Sequence, residues 1–160
     1  MILYHGSTQI VREPRILVPN RTLDYGAGFY TTTSEQQARD WALRRVTGGE
    51  SVYVNVYEFD EAAAVSLKRL VFSNPPGEDW VDFVYANRNH RGFTHDYDLV
   101  YGPVANDRVY AAFSLYEQGL LNKQELIVEL KTYTLIDQMV FHTEAALECL
   151  RYIDAKEVRL

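Results

Sequence analysis

Tyr4-His5-Gly6-Ser7 closes a short apolar run that begins at Ile2, and Gly26-Ala27-Gly28-Phe29-Tyr30 leads through Thr31, Thr32 and Thr33 into a helical pattern that opens at Ser34. The first group sets an imidazole beside a residue with no side chain, so a partner can approach the main chain closely. The second places an aromatic ring directly after a flexible glycine turn. Read as one unit, the two groups predict a binding site at the end of a first strand and the start of a first helix.

The rest of the chain is read outward from there. Ile2 to Tyr4 predicts a strand, and Pro14, Pro19 and Asn20 make the segment up to Asp24 a loop. Phe29 to Thr33 is aromatic and β-branched, which suits a strand. Ser34 with Gln37 predicts a capping box, and Ala38, Trp41, Ala42 and Val46 share one face of a helix ended by Gly48 and Gly49. Val52 to Phe59 has the alternation of a strand. Leu70 to Phe72 is a further strand, Glu78 to Asn89 a helix with Trp80, Phe83, Val84 and Asn87 on one face, and Leu99 to Tyr101 another strand. A helical region from Asn106 to Leu130 breaks near Gly119. Met139 to Phe141 is a late strand, Thr143 caps a last helix, and Val158 to Leu160 ends the pattern as a strand. Short strands outnumber helices and do not alternate strictly with them, which predicts α+β and not a doubly wound parallel sheet.

The chain of 160 residues, 47% hydrophobic, is the size of one domain spanning 1–160 with one core. No apolar run approaches the roughly 18 residues needed to span a bilayer, and Met1 to Gly6 lacks a basic leader, so the expected location is the cytoplasm without membrane contact. Cys149 stands alone and reads as a buried small hydrophobe. A net charge of −6 argues against broad affinity for nucleic acid, which needs a basic face to release counterions. Arg12, Arg15 and Arg21, and separately Arg88 and Arg91, are the local basic groups. His90 and His95 lie in a polar loop without a metal-like cluster, so no metal is expected.

Three segments resemble the ADP-ribosyltransferase superfamily with the histidine, tyrosine, glutamate pattern of diphtheria toxin and the poly-ADP-ribose polymerases. Tyr4-His5-Gly6-Ser7 is similar to its first-strand motif. Gly26 to Tyr30 followed by Ser34 to Trp41 is similar to its second, with Tyr30 and Trp41 at the spacing of the two rings that sandwich nicotinamide. Asp137-Gln138-Met139-Val140-Phe141 is similar to its third, the strand that normally carries the catalytic glutamate. The chain also resembles small uncharacterised bacterial proteins that add an Asn87-Arg88 pair, a block from Tyr97 to Ala105 and a Phe141-His142-Thr143 ending. The resemblance implies a split β-sandwich of two small sheets with peripheral helices, and NAD+ as substrate. It implies mono-ADP-ribosyl transfer to a macromolecule, with a toxin of a toxin and antitoxin pair as the setting. The acidic balance favours a protein acceptor over nucleic acid. The alternatives are NAD glycohydrolysis, transfer of an RNA phosphate onto NAD, and an NAD-binding module without catalysis.

The expected site follows residue by residue. Tyr4, His5, Gly6, Ser7, Gly28, Tyr30, Trp41 and Arg88 hold NAD+, and His5, Tyr30, Gln138 and Asp98 act on it. Stacking between Tyr30 and Trp41 fixes the ring, the Gly6 main chain meets the carboxamide, and His5 hydrogen-bonds a ribose hydroxyl. Gln138 stands where the glutamate is expected; it has no charge to offset a developing cation and cannot act as a base, so Asp98 is assigned to help. Each residue also has a plainer reading. His5 serves a backbone carbonyl, Tyr30 and Trp41 are core aromatics, Arg88 is in an ion pair, Asp98 satisfies turn amides, and His142 with Thr143 starts the last helix.

Overall fold

The computed structural model describes residues 1–18, 22–46 and 48–159. Pro19, Asn20, Arg21 and Leu160, which the sequence assigns to a loop, a basic group and a final strand, lie outside the described residues.

Among the described residues, seven strands and five α-helices alternate irregularly, as expected for α+β. The strands are β1 (Ile2–Ser7), β2 (Phe29–Thr32), β3 (Val52–Phe59), β4 (Arg69–Val71), β5 (Leu99–Pro103), β6 (Asp137–Phe141) and β7 (Leu150–Val158). The helices are α1 (Glu35–Arg44), α2 (Glu78–Asn89), α3 (Asp107–Glu117), α4 (Lys123–Leu130) and α5 (Glu144–Leu147). The strands hydrogen-bond in one order, β4-β5-β6-β2-β1-β3-β7, antiparallel everywhere except between β4 and β5. Three strands that are distant in sequence, β6, β2 and β1, are thus neighbours at the centre.

The junction between β2 and β1 is the thinnest in the sheet. It has one register pair, Tyr4 with Thr32, where β1 and β3 share six. The parity of the ladder explains what this leaves open. The Phe59 amide donates to the Met1 carbonyl, so odd-numbered residues of β1 turn their main-chain groups to β3 and even-numbered ones to β2. Tyr4 finds Thr32; Gly6, the next residue with that orientation, has no register partner on β2.

Side-chain alternation builds a core on each face. Val100 and Val140 face α2, α3 and α4 and join Tyr25, Trp80, Phe113 and Leu126 in one cluster. Leu3, Phe29, Leu99 and Phe141 face the other way and join Tyr57 and Leu147 in a second. Fully burying each such large side chain contributes about 1.5–3 kcal/mol.

Helix α1 lies against β1 because residue 6 is glycine. A Cβ there would sit 1.9 Å from the Ala38 carbonyl oxygen, so helix backbone occupies the space a side chain would need. The Ser34 hydroxyl accepts from the Gln37 amide, as expected, but the reciprocal half of the box is not made: the Ser34 amide donates to Thr32 Oγ1 instead. The helix stops at Arg44, with Arg45 as C-cap, which leaves Val46 outside it. A full capping box appears at α4, between Asn122 and Glu125.

The last strand is longer than the sequence pattern predicts. Leu150–Val158 pairs along all of β3, with a bulge that skips Ile153. As an edge strand it has little buried surface, so charged residues interrupt its hydrophobic alternation. Arg151 pairs with Glu58 and Lys156 with Glu35 across this margin.

Gly6→Ala is expected to destabilise the fold by at least about 3 kcal/mol, because backbone and not a flexible side chain must move. Denaturant unfolding measures it, and a loss under about 1 kcal/mol would mean that α1 does not rest on β1 as described.

Candidate functional site

At the seam between β1 and β2, a side chain replaces a ladder bond. His5 Nδ1 lies 2.6 Å from the Tyr30 carbonyl oxygen. A carbonyl only accepts, so the ring carries its proton on Nδ1 and leaves Nε2 as acceptor. In a continued antiparallel ladder, Tyr30 would face Gly6, two residues on from the Tyr4–Thr32 pair. The imidazole holds that carbonyl, and Gly6 has no register partner on β2. Burial depresses the His5 pKa to about 4, against the upward pull of the Tyr30 carbonyl, with Arg45 adding to the depression.

The plainer reading of His5, service to a backbone carbonyl, is therefore met, and it happens at the expected place. The rings of His5 and Tyr30 do not meet. His5 stacks on Phe29 at 4.2 Å, while Tyr30 packs toward the helix-covered cluster on the other face. Tyr30 shares that face with Tyr4, Gly6 and α1, the helix that carries Trp41. Trp41 is half-buried, belongs to neither core cluster and makes no ring contact with Tyr30 or any other aromatic among the described residues. Tyr4 is half-buried, and Ser7 Oγ accepts from the Gln9 amide.

The glycine turn before β2 is held from several sides. The Tyr30 hydroxyl donates to the Gly26 carbonyl at 2.7 Å and accepts from the Tyr25 amide at 3.1 Å. Burial raises the pKa of this phenol well above its ordinary value, so it stays protonated. Gly28 lies so close to β6 that a Cβ would be 2.7 Å from the Phe141 carbonyl oxygen. Asn55, inside the sheet, fixes the segment after β1: it donates to the His5 and Gln9 carbonyls and accepts from the Val11 amide. Asn55 and Tyr25 are missing from the sequence-based site. Alternation puts Asn55 with Tyr53 and Tyr57 on the partly exposed side of the Val52–Phe59 strand, so the pattern did not mark it as buried, and nothing local marks Tyr25.

Three expected residues are not brought to the seam as acting groups. Gln138 is 3% exposed; its amide donates to the Pro103 carbonyl and bonds the Tyr25 hydroxyl, which in turn donates to Pro103 and accepts from Trp80 Nε1. It is a member of a buried polar network, because Gly102 opposite leaves room for Tyr25 there. Asp98 is a tie between segments: its carboxylate accepts from the Lys68 amide at 2.8 Å and the Thr143 hydroxyl at 2.7 Å. Both oxygens are thereby engaged away from β1 and β2. Arg88 reaches Glu117 at 3.2 Å and Asp24 at 3.8 Å and lies over the Tyr110 and Phe113 rings. Its charge is matched by carboxylates, and it lines a polar cavity of about 350 Å³ whose walls include none of His5, Gly6, Tyr30 or Trp41.

Among the described residues no group of three or more His, Cys, Asp or Glu is placed to hold a metal ion. No helix among them is long and apolar enough to cross a membrane.

A family described as protein of unknown function (DUF3990) matches residues 1–152. The chain belongs to this family. The DUF3990 match runs from β1 into β7 and so takes in the seam, the glycine turn and α1. No curated protein and no solved structure matches the chain.

Two outcomes follow from this geometry. His142, like His5, has a folded-state pKa depressed by burial to about 4, below the ordinary 6.5. The unfolded chain then takes up protons that the folded chain refuses as pH falls from 6.5 toward 4, so stability is complete above 6.5 and declines below it. A Tm that stays level between about pH 7 and 5 would contradict this. Gln138→Glu is expected to cost about 1–3 kcal/mol in denaturant unfolding, since it points a carboxylate at a carbonyl inside a closed network.

Proposed function

We propose that the chain transfers a single ADP-ribosyl unit from NAD+ to a macromolecular acceptor, with the seam between β1 and β2 as the split of an ADP-ribosyltransferase-like β-sandwich. The observation that carries the reading is positional. The three motifs that resemble that superfamily, about 130 residues apart from end to end, lie on the neighbouring strands β1, β2 and β6, and the pairing between β1 and β2 stops at the first motif.

The chemistry of the seam fits the nicotinamide end of the substrate. A carboxamide presents donor and acceptor together, and so does a main-chain residue whose ladder partner is missing, which is Gly6 here. Tyr30 shares with Gly6 the face of the sheet on which α1 lies, and among the described residues neither Tyr30 nor Trp41 of that helix makes a ring contact with another aromatic. His5 holds the Tyr30 carbonyl aside and keeps Nε2 as an acceptor for a ribose hydroxyl. Cleavage of the glycosidic bond passes through an oxocarbenium-like state. With Gln138 in the third motif, no carboxylate from that position offsets the charge, which suits transfer of one unit and excludes Gln138 as a general base. The acidic balance favours a protein acceptor, and an antitoxin partner in the cytoplasm completes the reading that the resemblance implies.

The test is incubation of the purified chain with labelled NAD+ and a cell lysate, with nicotinamide release followed in parallel. Label on a macromolecule is expected. Free ADP-ribose alone would replace transfer by hydrolysis, NAD+ binding without release would leave a binding module, and no binding in calorimetry would end the NAD reading. Trp41→Ala is expected to lower nicotinamide release about tenfold or more with little change in Tm, whereas His5→Ala, which also strips the Tyr30 carbonyl of its donor, is expected to lower both. Tyr30→Phe is expected to keep the stacking ring but loosen the Gly26 contact, and so to fall between wild type and Tyr30→Ala.

A further inference from the structure

His142 belongs to a segment that the proposed chemistry does not use. It follows β6, and its Nδ1 lies 2.7 Å from the Ala27 carbonyl oxygen in the middle of the glycine turn. As with His5, a carbonyl acceptor fixes the proton on Nδ1. The other nitrogen, Nε2, is buried and has no hydrogen-bond partner. That is costly to leave unexplained in a side chain that could have pointed to water.

A second imidazole stands beside it. His95 meets His142 edge to face, with ring centroids 4.4 Å apart at 89°. His95 Nδ1 accepts from the Tyr97 amide, so its proton is on Nε2, which donates to the Tyr25 carbonyl at 3.1 Å. The turn is therefore gripped at Tyr25 and Ala27 by two neutral rings in contact, while the Tyr30 hydroxyl closes it at Gly26.

We propose that His142 is the positioning residue of the glycine turn: as a neutral Nδ1–H imidazole it holds Ala27, and with it the aim of Tyr30, and its protonation releases the turn. The orphaned Nε2 is what makes the device one-sided. A proton added there finds no acceptor and faces a second imidazole, so the closed turn and the charged ring exclude each other. The ionisable groups around the ring are few. His95 comes from the segment before β5 and opposes the charge. Asp98, at the start of β5, has its carboxylate occupied by Lys68 and Thr143. Tyr25 in the turn directs its hydroxyl to Pro103, and Glu144 on the same segment is exposed. Among the described residues, no carboxylate bonds the ring to stabilise an imidazolium in the closed form. The depressed pKa of His142 accords with this arrangement.

The effect on Tyr30 as a substrate-binding ring rests on the NAD reading above; the latch itself does not, and its test needs no NAD+. Amide hydrogen exchange is followed at residues 25–30 and, as control, along β3. In wild type, protection at 25–30, corrected for intrinsic exchange, is expected to fall about tenfold or more from pH 7.5 to 5 and to stay below that of β3 at both pH values, since β3 exchange follows the global loss of stability that His5 and His142 set together. His142→Asn keeps a donor near Nδ1 without titrating, and is expected to retain protection at both pH values. His142→Ala is expected to lose about tenfold at pH 7.5, the worth of one hydrogen bond. Protection in wild type that does not depend on pH, or an Asn variant as pH-sensitive as wild type, would overturn the latch. Protection at 25–30 equal to that of β3 at both pH values would do the same, because the turn would then open only with the whole fold. If NAD+ binds, its affinity should follow the same pH limb in wild type and lose it in His142→Asn.

Discussion

One hydrogen bond decides the middle of this molecule. Where Gly6 of β1 would ordinarily extend the ladder to β2, the imidazole of His5 takes the Tyr30 carbonyl. An imidazole donor keeps a strand carbonyl satisfied without bringing the neighbouring backbone to ladder distance. The consequence is a sheet that remains continuous in order yet parts locally. Helix α1 can then settle on the bare face of Gly6, and the main chain there keeps its polar groups for something other than β2.

The structure also assigns the work of the glycine turn to side chains and not to the loop itself. Tyr25, Ala27 and Tyr30 each offer a carbonyl to an imidazole, from His95, His142 and His5 respectively. Rings of this kind satisfy a loop carbonyl while contributing apolar area to the packing around it. A segment with two glycines close together loses much conformational entropy on ordering, and these contacts offset that loss at fixed points.

Much of this was legible in the chain, and the limits have physical causes. The strong periodicities, Val52 to Phe59 and the Trp80 face of α2, declare themselves because burial selects apolar residues at regular intervals. Gly6 and Gly28 were recognisable as special, although the sequence suggested room for a ligand and the fold also uses that room for α1 and for the end of β6. His5 was legible as a site residue, but the face on which its ring lies depends on strand pairing, which no local pattern encodes. Gln138 and Asp98 illustrate the same point. Their residue types permit chemistry, and only the tertiary placement of Tyr25, Lys68 and Thr143 commits them to structural bonds. β7 was mostly hidden because an edge strand with water on much of its surface is free to be charged.

That last strand has a bearing on how the protein behaves among its own copies. A nine-residue margin with open main-chain groups is a template on which another chain could stack. The skipped Ile153 breaks its straightness, and the cations of Arg151 and Lys156, matched to Glu58 on β3 and Glu35 at the start of α1, lie along it. A would-be partner strand must tear those pairs apart and fit a kinked rim before it gains any bonds. The border of the sheet thereby resists edge-to-edge pairing, and less so as salt screens those charges.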